Sequence, residues 1–154
     1  MKIGFTGTHL GMTVIQRMYF ETSLKSIIGD SDVLEFHHGD CIGADKQADE
    51  SVVTHWIANG LMPRALIVVH PPNDGKKRAY CQSYPESRIL WTPAPYLNRN
   101  RDIVDETEVL IACPLSKIEQ LRSGTWSTVR YARKLGKKIA IIYPDGSMET
   151  ENVD

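Results

Sequence analysis

Residues 65–70 read Ala65-Leu66-Ile67-Val68-Val69-His70, and Pro71-Pro72 follow them. A run with no Asp, Glu, Lys or Arg, rich in β-branched side chains and stopped by prolines, reads as a strand buried on both faces. A strand with one wet face would instead alternate apolar with polar residues. Strands buried on both sides belong to parallel sheets covered by helices, so the flanking sequence should alternate strand with helix. Upstream, residues 2–6 are strand-like, and from Thr13 to about Ile28 apolar residues recur at helical spacing. Thr13 and Gln16 stand in the relation of a capping box, which starts the helix there; Val14, Ile15, Met18, Ile27 and Ile28 are expected inside, and Gly29 and Asp30 should end it. Residues 33–38 form a second expected strand, and Gly39, Asp40 and Gly43 a turn, before Ala44, Ala48, Val52 and Trp56 line one face of a second helix.

Downstream of the Pro pair, residues 73–87 are polar and predict no more than a short helix, and residues 88–91 a brief strand. Residues 97–107 then fit a helix, residues 109–113 a strand, and residues 124–135 a helix with Val129, Ala132 and Leu135 inward, closed by Gly136. Residues 138–143 supply the last strand. The alternation predicts a Rossmann-like, doubly wound α/β architecture with a mainly parallel sheet, right-handed crossovers and helices on both faces. In such sheets ligands collect at the carboxyl ends of the strands, where the strand order reverses.

The chain has 154 residues, 42% of them hydrophobic, which suits a single domain over residues 1–146. Residues 147–154 are acidic, lack an apolar period and read as a frayed or peripheral tail. No apolar stretch is long enough to cross a bilayer, and a cytoplasmic location is expected. Cys41, Cys81 and Cys113 are far apart and read as reduced thiols. A formal charge of -1 argues against coating nucleic acid through bulk electrostatics. His37 and His38 are adjacent, so in a strand they point to opposite faces and cannot hold one metal together; neither a metal nor a cofactor is expected. Trp56, Trp91 and Trp126, with nearby tyrosines, exceed what a small core must hide, which predicts a homo-oligomer.

Four stretches carry candidate chemistry. The first, residues 4–13, sets three glycines and three threonine hydroxyls between strand and helix, where Gly7, Thr8 and His9 either cradle an anion through backbone amides or simply make a tight turn. In the second, Gly39 leads to Asp40 and Asp45, which accept from sugar hydroxyls, act as a general base, or cap the next helix. In the third, Asn98-Arg99-Asn100-Arg101 lie near a helix start, where two guanidiniums can clamp phosphate in fork geometry; Arg99 is the stronger candidate, and Arg101 reads equally as part of a solvated helix surface. The fourth, Arg122-Ser123-Gly124-Thr125-Trp126-Ser127-Thr128, concentrates small hydroxyl residues at a helix N-terminus, an anion-receiving position favoured by the helix dipole.

Taken together, these four stretches resemble the SLOG superfamily, the Rossmann-like group that joins the DNA-processing protein A fold with the "lonely guy" phosphoribohydrolases. Ser123 to Thr128, followed by Arg130, Ala132 and Gly136, is similar to the S-G-T-x-x-T helix start of the DNA-processing branch, and the short aspartate-bearing loop to that of small standalone bacterial or phage members. The resemblance implies binding of a nucleotide or nucleotide-derived ligand at the strand ends, with phosphate on the Gly124 helix. In the phosphoribohydrolase branch a P-G-G-x-G-T-x-x-E motif supplies a glutamate and the preceding helix an arginine. Arg99 matches that arginine, whereas Thr128 stands in the glutamate position. Three functions follow as expectations: ligand binding; N-glycosidic hydrolysis of a nucleotide by Asp40 or Asp45; and, last, single-stranded DNA binding through Lys76, Lys77 and Arg78.

Overall fold

The computed structural model describes residues 1–28, 35–62 and 64–153, without the side chains of Ile27 and Ile28. The expected helix stop at Gly29 and Asp30, and the first two residues of the expected second strand, lie outside the described residues. Among the described residues seven strands occur in chain order: β1 (Lys2–Gly7), β2 (Glu35–His38), β3 (Leu66–Val69), β4 (Arg88–Leu90), β5 (Val109–Cys113), β6 (Lys138–Ile142) and β7 (Met148–Glu151). The helices are α1 (Val14–Ile28), α2 (Ala44–Ala58), α3 (Tyr96–Asp105) and α4 (Gly124–Lys134). The polar stretch between β3 and β4 holds only two single turns of 3-10 helix, Gly75–Lys77 and Pro85–Ser87.

The strands form one sheet in the order β4-β3-β2-β1-β5-β6-β7, parallel except for β7. Strand order runs outward from β1 to β4, then restarts on the other side of β1 at β5, so the reversal lies between β1 and β5. Along β5 the side chains alternate between two cores: Ile111 and Cys113 join Phe20, Leu24, Val52 and Trp56 of α1 and α2, while Leu110 and Ala112 join Val104, Val129 and Ala132 of α3 and α4. This period of two places helices on both faces, the doubly wound arrangement. Phe5, Phe20 and Phe36 pack at the first core's centre, with Phe5 and Phe20 edge-on at 5.2 Å.

Three expectations need correction. The capping box at α1 forms in both directions, Gln16 N donating to Thr13 Oγ1 (3.1 Å) and Thr13 N to Gln16 Oε1 (3.2 Å). The buried face of α1, however, is Gln16, Phe20, Ser23 and Leu24, while Val14, Ile15 and Met18 are exposed. The stripe is displaced because Gln16 is itself an inward residue: its amide donates to the carbonyls of Pro114 (3.1 Å) and Ile142 (2.7 Å), tying α1 to the ends of β5 and β6. At α4, Val129 and Ala132 are fully buried, but Leu135 caps the helix and is 44% exposed, with Gly136 beyond it at φ 66. The acidic tail is not frayed at residues 148–151. It forms β7, antiparallel to β6, with Arg133 reaching Glu151 at 2.7 Å and Tyr143 donating to Glu149 at 2.7 Å. An edge strand needs no apolar period when its acidic side chains find partners along the rim.

Two of the three tryptophans, Trp56 and Trp126, are buried within the chain, and Trp91 packs against His70 at 4.4 Å. Of the tyrosines, Tyr19, Tyr80 and Tyr84 are exposed. Among the described residues, no helix is long and apolar enough to cross a membrane.

Candidate functional site

The loops that leave β1, β2 and β5 open at the same sheet edge, and with α3 and α4 they surround a cavity of about 980 Å³. All four stretches singled out in the sequence contribute to it: Gly7, Thr8 and His9 after β1; Asp45 at the start of α2; Arg99 and Asn100 on α3; and Ser123, Gly124 and Thr125 at the start of α4. The first two loops interlock tightly. Thr8 O accepts from Ala44 N (3.0 Å), and Gly43, at φ 92, lies so close to the His9 carbonyl that a Cβ would overlap it.

At α4 the Ser123 side chain caps the helix by accepting from Trp126 N (3.3 Å). Thr125 is a buried residue that lines the cavity, and no protein hydrogen bond to its hydroxyl occurs among the described residues. The first-turn amides of an 11-residue helix carry the positive end of its dipole at this position.

Arg99 is 5% exposed. Its guanidinium donates to Cys41 Sγ (3.0 Å), lies 3.7 Å from Asp45 Oδ2 and stacks over the Tyr96 ring at 4.8 Å, while its Nε has no partner. A buried guanidinium with one idle N–H is costly unless something completes its shell. Asp45 is equally enclosed and accepts from Cys41 N (3.1 Å). Burial pushes its carboxyl above the usual range, against the pull of Arg99. Burial and the nearby Asp45 likewise raise the Cys41 thiol, so Cys41 stays protonated at neutral pH. Burial and the contact with Cys41 push the Tyr96 hydroxyl up to about 12.

Three sequence candidates lie outside the cavity. Asp40 is fully buried in left-handed backbone (φ 54); its carboxylate accepts from Arg78 Nε (2.9 Å) and Cys81 N (2.9 Å), and its carbonyl from Ala79 N (2.7 Å). With both oxygens committed, it fastens the loop between β3 and β4 and is not placed to act as a base. Gly39 touches no ligand space; it makes room for the Arg99 guanidinium, which a Cβ would overlap. Thr128 donates to Gly124 O (2.9 Å) inside α4 and faces a smaller groove instead. Sequence reasoning missed Tyr96, and it named Lys77 only with Lys76 and Arg78 as a strand-binding cluster, not as a residue of this cavity. Lys77 enters from the loop that Asp40 fastens, lines the cavity and lies over the Tyr96 ring at 5.2 Å. Nothing local in a polar segment marks one lysine among several; only the anchoring of its loop does.

The histidines form two buried polar chains. His38 accepts from Asp40 N through Nδ1 (3.0 Å), which puts the proton on Nε2, and Nε2 faces Asp49 at 2.8 Å. Asp49 is also gripped by Arg88 (2.6 and 2.8 Å), and although burial opposes it, Arg88 and His38 hold the carboxyl at about 2. His38, Asp49 and Cys81 place ligand-type atoms within 4.8 Å of one another, but a cation entering there would have to evict the Arg88 guanidinium. The second chain runs from Glu35 to His37 (2.7 Å) to His70 (2.9 Å).

Burial, reinforced by His37, His38 and Arg99, lowers His70 to about 3. An unfolded histidine binds its proton near pH 6.5, so below that pH the unfolded state gains protons that native His70 refuses, and stability falls as pH drops from about 6.5 towards 3. His70 should thus remove about 2 kcal/mol between pH 7 and pH 5. Asp45, raised when folded, contributes the opposite slope, so the readout is a difference between proteins. In urea titrations, His70→Gln should lose less stability over this interval than the wild type; identical losses would refute the assignment.

The sequence matches no protein-family model and no curated protein. Among solved structures the chain is similar to TM1055, an X-ray structure from the Northeast Structural Genomics Consortium. The TM-score is 0.55 at 15% identity, covering 90% of this chain and 71% of the other. At that identity the likeness shows a shared Rossmann-like α/β fold.

Proposed function

We propose that the cavity binds a nucleotide or nucleotide-derived ligand, with a phosphate on the α4 amides between Ser123 and Thr125 and Arg99 opposite. One observation carries this reading: Arg99 is buried with its Nε unpartnered and borders the same cavity as the α4 N-terminus. A helix N-terminus supplies amides and dipole, and a guanidinium supplies the fork that phosphate accepts. Asn100, also buried, has an amide free of protein partners among the described residues, and Leu97, Leu115 and Leu121 give the wall an apolar half suited to a base. The SLOG resemblance of the same four stretches agrees with this choice of ligand.

A panel of nucleoside mono- and diphosphates, cyclic dinucleotides and ADP-ribose derivatives tests the reading by thermal shift and calorimetry. A ligand at a hundred times its Kd should stabilise the fold by about 2.7 kcal/mol. Absence of both stabilisation and binding heat across the panel would refute it.

A second reading, N-glycosidic hydrolysis, is favoured by Asp45 alone. Its carboxyl lies in the cavity beside Arg99, and burial raises its pKa toward the range of a general acid. Release of free base from a nucleoside monophosphate, lost in Asp45→Asn with ligand binding retained, is the expected result under this reading; no release by the wild type would reject it.

A further inference from the structure

Beside the main cavity lies a groove of about 350 Å³ between α3 and α4. The two share Leu97, Asn100 and Ser127, so the groove adjoins the cavity across a ridge formed by these three residues. The groove is lined by three cations, Arg101, Arg130 and Lys134, and by no carboxylate. Arg130 is engaged by Glu119 (3.3 Å) and by the carbonyl of Leu121 (2.9 Å), and Asp105 accepts from the Tyr131 hydroxyl at 2.9 Å. Arg101 lies over the Tyr131 ring at 5.5 Å and has no ion pair among the described residues, and the same holds for the Lys134 ammonium. Two cations are therefore free to meet an anion at the groove.

Along α4, ten positions separate Gly124 from Lys134, about 15 Å at the helical rise, and six separate Gly124 from Arg130, about 9 Å; the Lys134 side chain leans back toward the helix N-terminus and shortens its gap. A ligand with phosphate on the first turn of α4 therefore needs one further nucleotide-sized unit to reach the Arg101 and Lys134 side chains. Resting on the proposed phosphate site, we infer that the natural ligand has two phosphate-bearing nucleotide units, one in the cavity and the next along the α3–α4 groove. Arg101 and Lys134 then meet the second unit, the Tyr131 ring offers its sugar or base a flat surface, and Asn100 on the ridge reaches the link between the units.

The test compares AMP with 5′-phosphorylated ApA, by calorimetry on the wild-type protein and on the double variant Arg101→Ala, Lys134→Ala. Both side chains are exposed, so the variant should fold normally. The wild type should bind the dinucleotide at least about tenfold more tightly than AMP. In the variant that advantage should vanish, the AMP affinity should stay unchanged, and the salt dependence of dinucleotide binding should become shallower. A dinucleotide no tighter than AMP, or a variant that weakens both ligands equally, would overturn the inference. Failure of AMP and the dinucleotide alike to bind the wild type would instead reject the underlying phosphate site. A six-nucleotide strand separates a free dinucleotide from a strand end: affinity equal to that of the dinucleotide is expected, and tighter binding would overturn the two-unit assignment.

Discussion

Gly39→Ala should weaken nucleotide binding by about a hundredfold, as Arg99→Ala should, while leaving the protein folded. Gly39 does not border the cavity, and its backbone is not in the left-handed region, so alanine fits the chain itself. The obstruction is the Arg99 guanidinium, which packs where a Cβ would stand, with Asp45 Oδ2 2.9 Å from the same point. A guanidinium is the end of a flexible side chain and can move at little cost to the fold. It then leaves its place beside the cavity, and the charge-assisted pair to phosphate proposed for it contributes about 2–3 kcal/mol. Arg99→Lys should fall nearly as far, since an ammonium retains charge but lacks the fork. Calorimetry with the best nucleotide of the panel measures affinity, and urea unfolding verifies the fold. Wild-type affinity in a folded Gly39→Ala protein would show that Arg99 does not need its present position.

The fold could be read from the sequence because it depends on periodicities. The apolar run forms a parallel strand buried at Ile67 to Val69, and the α2 face formed by Ala44, Ala48, Val52 and Trp56 is fully enclosed. Misreadings arose where a polar residue performs an interior task. Gln16 faces inward because two backbone carbonyls need its amide, and that shifts the whole stripe of α1. The acidic residues of β7 look like a tail until Arg133 of α4 pairs with Glu151 and the Tyr143 hydroxyl with Glu149.

The site divides in the same way. Loop residues placed by strand ends, such as Thr8 and Ser123, are legible because a parallel sheet sends all such loops to one edge. Roles set by contacts across the chain are not. Asp40 and Asp45 are five positions apart and chemically identical, yet one faces Arg78 and the other Arg99, and only the path of the loop between β3 and β4 decides which. Thr128 is likewise lost to the cavity through a bond within its own helix, to Gly124 O.

That division predicts opposite behaviour for the two aspartates. Asp40→Ala should destabilise the protein by about 3 kcal/mol. It removes the acceptor for Arg78 and Cys81 N, and it forces alanine into a left-handed backbone that aspartate tolerates better. The loss is set below the upper end of the range for a broken buried pair because Arg78 is 17% exposed and can turn to water. Asp40→Gly, which relieves the backbone, should recover about 1 kcal/mol of it. Asp45→Asn should cost less than Asp40→Ala, because an amide oxygen can still accept from Cys41 N and Asp45 sits in helix α2 rather than in left-handed backbone. Urea midpoints at constant m-value measure all three. Lys77 gives an independent readout: with its loop unfastened in Asp40→Ala, a reporter at position 77 should gain mobility, whereas Asp45→Asn should leave it ordered. If Asp45→Asn unfolded the protein while Asp40→Ala did not, the holding and cavity-facing roles would have to be exchanged.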